Sequence, residues 1–185
     1  MSQARTPRAS QAVMTQAVMP GDANPLGTAF GGRIAEWIDI AAGIACQRHC
    51  RRRVVTASMD DLHFLLPIRV GMIVELRAQV NATFRTSMEA GVRIESENPL
   101  TGERHHVSSA YLTFVAQDEQ GGRVPVPPLV LETDEDRRRD REAGERRAIR
   151  LQRAHQKKER LLTEEPATGG ARRAQQTNQP KRSRD

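Results

Sequence analysis

An acidic side chain on an apolar helix, and two glycines where that helix begins, have the clearest chemistry in this sequence. Residues 33–48 (RIAEWIDIAAGIACQR) are predicted to be helical, with Ile34, Ile38, Ala41, Ala42, Ala45 and Cys46 on one face. Trp37, Ile40 and Ile44 extend the apolar surface nearly all round, so the helix should be buried on most sides. Glu36 and Asp39 stand out against that surface. A carboxylate held there can take a proton or attack an electron-poor carbon; the plainer reading is a structural acid paired with an arginine. Gly31-Gly32 precede the helix, where unpaired N–H groups and a partial positive charge are presented. Glycine lets a ligand approach that backbone closely. The combination suits a carbonyl oxygen that gains negative charge as it is attacked; the plainer reading is a tight loop.

Holding these groups requires a framework. Residues 11–19 (QAVMTQAVM) read as a strand, and PGDANPLGTAFGG is a turn-forming loop of the kind that often carries function. Beyond the helix, residues 54–67 (VVTASMDDLHFLLP) are strand-like and stop at Pro67. Thr56 and Ser58 are two apart, so a regular strand points both to one face. Residues 73–80 alternate strictly, Val74, Leu76, Ala78 and Val80 against Glu75, Arg77 and Gln79. Residues 87–96 alternate as well, and residues 105–117 make a long further strand. Turn signals at 69–71, 98–102 and 121–122 imply hairpins, hence an antiparallel sheet around one helix, an α+β arrangement. His105 and His106, adjacent on a strand, face opposite sides and share no site.

Composition narrows the function. Aromatics are 3% of 185 residues, so the core rests on Ile, Leu, Val, Ala and Met. Residues 1–130 hold 13 Arg and no Lys against 12 acids, a balance of +1; residues 131–185 hold 16 basic residues against 11 acids, a balance of +5. The basic excess belongs to the tail, which argues against nucleic acid as a partner of the folded part. The expected division is a disordered lead-in over 1–10, a domain over 11–131, a charged extension over 132–162 able to form a helix, and a disordered basic tail over 163–185. No apolar run reaches membrane-span length, and no segment reads as a secretory signal. Cys46 and Cys50 lie one helical turn apart, a poor geometry for a disulfide, which fits a reducing, cytoplasmic setting. Cys46, His49 and Cys50 share a helical side, but no further Cys completes a common zinc set, and no metal is expected.

Taken together, Asn24-Pro25-Leu26-Gly27-Thr28-Ala29-Phe30-Gly31-Gly32, Trp37-Ile38-Asp39, Val55-Thr56-Ala57-Ser58, Phe64 to Pro67 with Gly71, and Arg85-Thr86-Ser87-Met88-Glu89 resemble the acyl-CoA thioesterase family of hotdog proteins over residues 11–131. The resemblance implies a five-stranded antiparallel sheet wrapped around a central helix. It implies dimers whose sheets join, commonly gathered into homohexamers, and an acyl-CoA substrate with no separate cofactor. It assigns Asp39, Gly31, Gly32, Asn24 and Thr56 to catalysis, with Asn24 orienting the attacking water or the thioester. It assigns Arg85, Thr86 and Ser87 to substrate binding, and Ser58, on the strand face of Thr56, is expected to join them; an Arg with hydroxyl neighbours suits a phosphate-bearing ligand. One departure is Ala90-Gly91 after Glu89, where the family strand carries a β-branched residue; a bulge is expected at Gly91.

Spacing adds a constraint. Asp39 follows Gly31 by eight residues, roughly 12 Å along a helix. One thioester carbon cannot reach both from a single chain, so the site should combine the glycines of one protomer with Asp39 of the other. A hotdog dehydratase needs a histidine near the helix start, and His49, His63, His105, His106 and His155 are elsewhere. The alternative from another class is a non-catalytic CoA-binding module whose basic tail contacts a partner.

Overall fold

A computed structural model describes residues 3–163. The chain divides into two units, Met1–Glu145 and Arg146–Asp185. In the first, β1 (Ala12–Ala17), β2 (Arg53–Met59), β3 (Ile73–Thr83), β4 (Ser87–Glu97) and β5 (Arg104–Gln117) form one antiparallel sheet in the order β1-β3-β4-β5-β2. The helix α2 (Gly31–Cys50) packs on its inner face. This is the hotdog arrangement expected from the sequence.

The alternation in the strands explains the core. Leu76, Ala78 and Val80 of β3, Ala90, Val92 and Ile94 of β4, and Ala110, Leu112, Phe114 and Ala116 of β5 are all buried, two residues apart along each strand. They meet Ile34, Ile38, Ala41, Ala42, Ala45 and Cys46 of α2. Small residues on the helix allow close approach, and Gly43 lies against the ring of Phe114. Arg51 ends α2 in the left-handed conformation, its N–H donating to the Gln47 carbonyl.

Three expectations need correction. The lead-in is not disordered over its second half: Pro7–Ser10 form a short helix, α1. Thr6 caps it and Pro7 enters its first turn, signals too short to register as periodicity. The Ser10 hydroxyl, fully buried, donates to the Pro7 carbonyl and accepts from the Val80 N–H. Arg5 adds backbone bonds to the 128–130 segment and donates a side-chain bond to the Arg48 carbonyl at 2.8 Å.

The second strand, expected to run to Pro67, leaves the sheet at Met59. Residues 60–67 instead follow β5 irregularly, through Asp60 N–H to the Tyr111 carbonyl, Leu65 N–H to the Val107 carbonyl, and the Ser108 hydroxyl to the His63 carbonyl. Finally, the ladder is unbroken at Gly91, which faces Gln79 on one side and Tyr111 on the other. The bulge lies in the facing strand, where Asn81 is the extra residue between Val80 and Ala82. A Cβ at position 91 would come within 2.4 Å of the Asn81 amide nitrogen, so glycine is the space that the buried Asn81 occupies.

The Thr133 hydroxyl accepts from the Asp136 N–H and the Asp136 carboxylate accepts from the Thr133 N–H, a reciprocal cap that starts α3 (Asp134–Thr163). In the first unit, Ala143 of α3 is fully buried. In the second unit the helix carries Arg146, Arg147, Arg150, Arg153, Lys157, Lys158 and Arg160. The tail expected to be disordered lies, from residue 164 onward, outside the described residues.

Two outcomes follow for stability. Gly91→Ala should cost about 1–3 kcal/mol through the collision with Asn81, read as a lower urea midpoint at constant slope. Combining it with Asn81→Ala should cost less than the sum of the two; strict additivity would show that the contact is unimportant. His49 is fully buried and its Nε2–H donates to the Pro127 carbonyl at 2.9 Å. Burial pulls its pKa below the ordinary 6.5, Arg5 adds to that, and the Pro127 bond opposes it. The unfolded chain therefore takes up this proton first as pH falls, so stability declines as pH is lowered through about 6.5. His49→Gln, which keeps a donor for Pro127, should flatten that decline in unfolding midpoints compared at neutral and mildly acidic pH.

Candidate active site

The loop before α2 is built around Asn24. Its Oδ1 accepts from the Leu26 N–H at 2.9 Å and the Thr28 N–H at 3.3 Å, while Nδ2 donates to the Thr28 hydroxyl at 2.9 Å. An asparagine bonding its own backbone two residues on is a common way to fix a turn. The amide nitrogen carries two hydrogens, and Thr28 takes one. Gly27 completes the turn at φ 73°, a conformation that disfavours side chains. The loop is then fastened to the helix start: Phe30 N–H donates to the Asp22 carbonyl at 2.8 Å, and Arg33 pairs with Asp22 at 3.0 Å.

Phe30 is the N-cap of α2, so Gly31 and Gly32 are its first two helical residues. The i→i−4 ladder begins with Ile34 N–H to the Phe30 carbonyl. The N–H groups of Gly31 and Gly32 precede it and both residues are exposed. A Cβ on Gly31 would meet only the edge of the Phe64 ring, at 3.5 Å, an ordinary contact. The protein's own packing therefore leaves room for a side chain at Gly31.

Two turns along, Asp39 lies on the one stripe of α2 that the sheet leaves uncovered. Its exposed neighbours on that stripe are Glu36, Ile40, Ile44 and Gln47. Ile40 and Ile44 are 44% and 37% exposed. The Thr56 hydroxyl donates to Asp39 Oδ1 at 2.6 Å, joining β2 to α2. That bond engages Oδ1 and orients the carboxylate. Behind Asp39, burial, Cys50 and the Asp39 charge itself hold the Cys46 thiol well above its ordinary pKa, so it stays protonated.

Thr56 and Ser58 do not share a face as a regular strand would have them. Thr56 pairs with Phe114 but Ser58 pairs with Thr113, so Ala57 is an extra residue in a bulge. Phe114 points at the helix and Thr113 away from it. The bulge thus keeps Thr56 on the inner face beside Asp39 and turns Ser58 to the outer face, in a row with Thr113 and Glu89. Arg85, Thr86 and Ser87 form the β3–β4 turn, with Phe84 N–H donating to the Ser87 carbonyl and the Thr86 carbonyl accepting from the Ala116 N–H. Ser87, Val115 and Val55 lie in one cross-strand row next to that of Thr56, so the turn stands two strands, roughly 10 Å, from β2.

Of the predicted residues, the structure joins Asp39 to Thr56 and Asn24 to the glycines' end of the helix. It sets Gly31 eight residues from Asp39 along one helix. Sequence reasoning gave no role to Asp22, Arg33 and Thr28, which anchor the loop, or to Leu65 and Leu66 beside Gly31; only the folded chain brings these together. Among the described residues, no group of three or more His, Cys, Asp or Glu is placed to hold a metal. No helix among them is long and apolar enough to cross a membrane.

Comparison with known proteins places this arrangement. Residues 26–103 match the thioesterase superfamily. The chain is 45% identical over 127 residues to an acyl-CoA thioester hydrolase of Bacillus subtilis, covering 69% of this chain and 74% of that one. A solved hexameric acyl-CoA thioesterase is 40% identical with a TM-score of 0.79, covering 83% of this chain and 98% of the other. The acyl-CoA hydrolase of Staphylococcus aureus, solved with butyryl coenzyme A and coenzyme A, is 32% identical with a TM-score of 0.79 over 85% of this chain and 96% of that one. Variants of that enzyme have been solved with an Asn, an Asp and a Thr each replaced by Ala, and these residues are separated by 15 and 17 positions. Asn24, Asp39 and Thr56 repeat those types at those intervals. The chain is therefore a hotdog-fold member of the acyl-CoA thioesterase family, a family of thioester hydrolases.

Proposed function

We propose that this chain hydrolyses acyl-CoA to a free acid and CoA, with Asp39 as the base or nucleophile and the Gly31 and Gly32 N–H groups as the oxyanion hole. The observation that carries the reading is the Asp39–Thr56 hydrogen bond of 2.6 Å on the uncovered stripe of α2. Thr56 occupies one carboxylate oxygen and the other is available to the reacting group. In the base route a water oxygen attacks the thioester carbon as its proton passes to Asp39, the C–S bond breaks, and the CoA sulfur leaves as thiolate. In the nucleophile route the carboxylate attacks first, and water then cleaves the anhydride. Either route puts negative charge on the carbonyl oxygen, which two backbone donors at a helix N-terminus would stabilise. The second amide N–H of Asn24 serves to orient the water or the thioester. Neither route calls for a cofactor.

Roughly 12 Å of helix separates Gly31 from Asp39 in one chain. The working site is therefore assembled from Asn24, Gly31 and Gly32 of one protomer and Asp39 and Thr56 of a second. Several features support a homodimer: exposed Ile40 and Ile44 beside Asp39, 43% exposed Val55 on β2, and the position of β2 at the sheet edge, where a second sheet can join. The hexameric relative supports assembly of dimers into a hexamer. Arg85, Thr86 and Ser87, with Ser58 on the same outer face as Ser87, are assigned to the nucleotide part of CoA. Buried free thiols at Cys46 and Cys50 fit a reducing, cytoplasmic setting.

The test is thiol release from acyl-CoAs, acetyl to palmitoyl. Asp39→Ala should lower the rate by about 10² or more while remaining folded and dimeric. Thr56→Val should lower kcat by about tenfold with a smaller change in KM, since it withdraws one charge-assisted hydrogen bond from the reacting carboxylate. Gly31→Ala should fold normally and lose on the order of 10²-fold by obstructing the oxyanion donors. Undiminished release by Asp39→Ala would remove Asp39 from the chemistry. No release from any acyl-CoA, with CoA still bound, would instead make the chain a binding module.

A further inference from the structure

The N-terminal end of α2 opens onto a cleft that neither the Asp39–Thr56 pair nor the Arg85–Ser87 turn uses. Its volume is about 300 Å³. Gly31 and Thr28 line it together with the buried Ile34 and Ile68 and the exposed Phe64 and Leu66. No charged side chain lines it. Phe64, Leu65 and Leu66 are 44%, 64% and 43% exposed, three consecutive apolar residues held out toward water. They stay there because the 60–67 segment is tied to β5 by its backbone and by the Ser108 hydroxyl, not by burial of these side chains.

We propose that this cleft receives the hydrocarbon tail of a medium-chain acyl-CoA, about six to twelve carbons long, and that Leu66 sets the length accepted. The assignment rests on the thioesterase reading and deepens it. Gly31 belongs to both places: its N–H faces the thioester oxygen in the proposed chemistry, and it is one of the residues lining the cleft. A thioester bound through that N–H has its acyl carbons within a few bonds of the opening. The chemistry of the lining selects which part of the substrate enters. A phosphate or carboxylate would shed its water there and find no partner. A hydrocarbon chain would cover the exposed leucines and the phenylalanine edge. The volume sets the size, because a dry cavity of about 150 Å³ holds benzene, six carbons, so about twice that admits roughly twelve.

The experiment measures kcat/KM for acetyl-, butyryl-, hexanoyl-, octanoyl-, decanoyl- and palmitoyl-CoA with the full chain, Leu66→Trp and Leu66→Ala. Leu66 is half exposed, so neither change disturbs the core, and thermal unfolding verifies this. For the wild type, kcat/KM should rise about fourfold per added methylene as each is buried, then level off between six and twelve carbons. Leu66→Trp should move the plateau to shorter chains and cut the decanoyl-to-butyryl ratio by about tenfold or more. Leu66→Ala should move it to longer chains. Opposite shifts from the two variants support the cleft as the tail site. An unchanged profile in both, or an equal fall at every chain length, overturns it and leaves the cleft as a surface filled by another copy of the chain. A wild type that releases thiol from none of the series overturns the hydrolase reading, and this assignment with it.

Discussion

Burial of α2 against the inner face of the sheet is the constraint on which the rest of the molecule depends. Ile34, Ile38, Ala41, Ala42, Ala45 and Cys46 are almost completely removed from water by a sheet that curls round them. A helix apolar on nearly every side would be unstable alone in water, and its stability comes from this packing. The price of a carboxylate on such a helix is low only if it lies where the sheet does not close. Asp39 lies there, on the stripe that carries Glu36 and Gln47, with its Oδ1 accepting from the Thr56 hydroxyl. The bulge at Ala57 serves the same end, because without it Thr56 could face Asp39 only if Met59 turned away from the core.

Rigidity along the helix then dictates the form of the site. A straight helix cannot bring its first turn to its third, so groups at Gly31 and Asp39 cannot converge on one atom within a chain. The same stripe that exposes Asp39 also exposes Ile40 and Ile44, which a monomer would leave wet. Both observations agree with the proposed dimer, in which the helix of a second copy would run antiparallel to the first. Catalysis and association would then draw on the same few residues, so that change at the stripe affects both.

Much of this was legible in the sequence wherever a periodicity ran long enough. The 3.6-residue pattern from Ile34 to Cys46 and the two-residue alternation through Val74 to Val80 and Met88 to Ile94 each gave their element and its buried face. What failed was local. Thr6-Pro7 is a helix start of four residues, with no room for a period to show. Asp60 to Pro67 has strand-like composition, but its backbone follows β5 without regular pairing. Alternation counts residues, so the single insertions at Ala57 and Asn81 invert every face beyond them without leaving a trace in composition. Thr56 and Ser58 were assigned to one face for that reason. Asn24 could be recognised by its place in the loop, but its bonds to Leu26 and Thr28 follow from a fold of the chain that spacing does not encode.

The glycines show the limit most clearly. Gly91 and Gly31 are the same residue in the sequence, each in or next to a regular element. At Gly91 the missing side chain is space already taken, since the Asn81 amide would lie 2.4 Å from a Cβ. At Gly31 a Cβ would meet nothing closer than a ring edge at 3.5 Å, so the protein has no need of glycine there for its own packing. A glycine that the fold does not require, at a helix N-terminus, agrees with the oxyanion site proposed there. That distinction is drawn by distances alone, and it supports the proposal that the reacting carbonyl sits at Gly31.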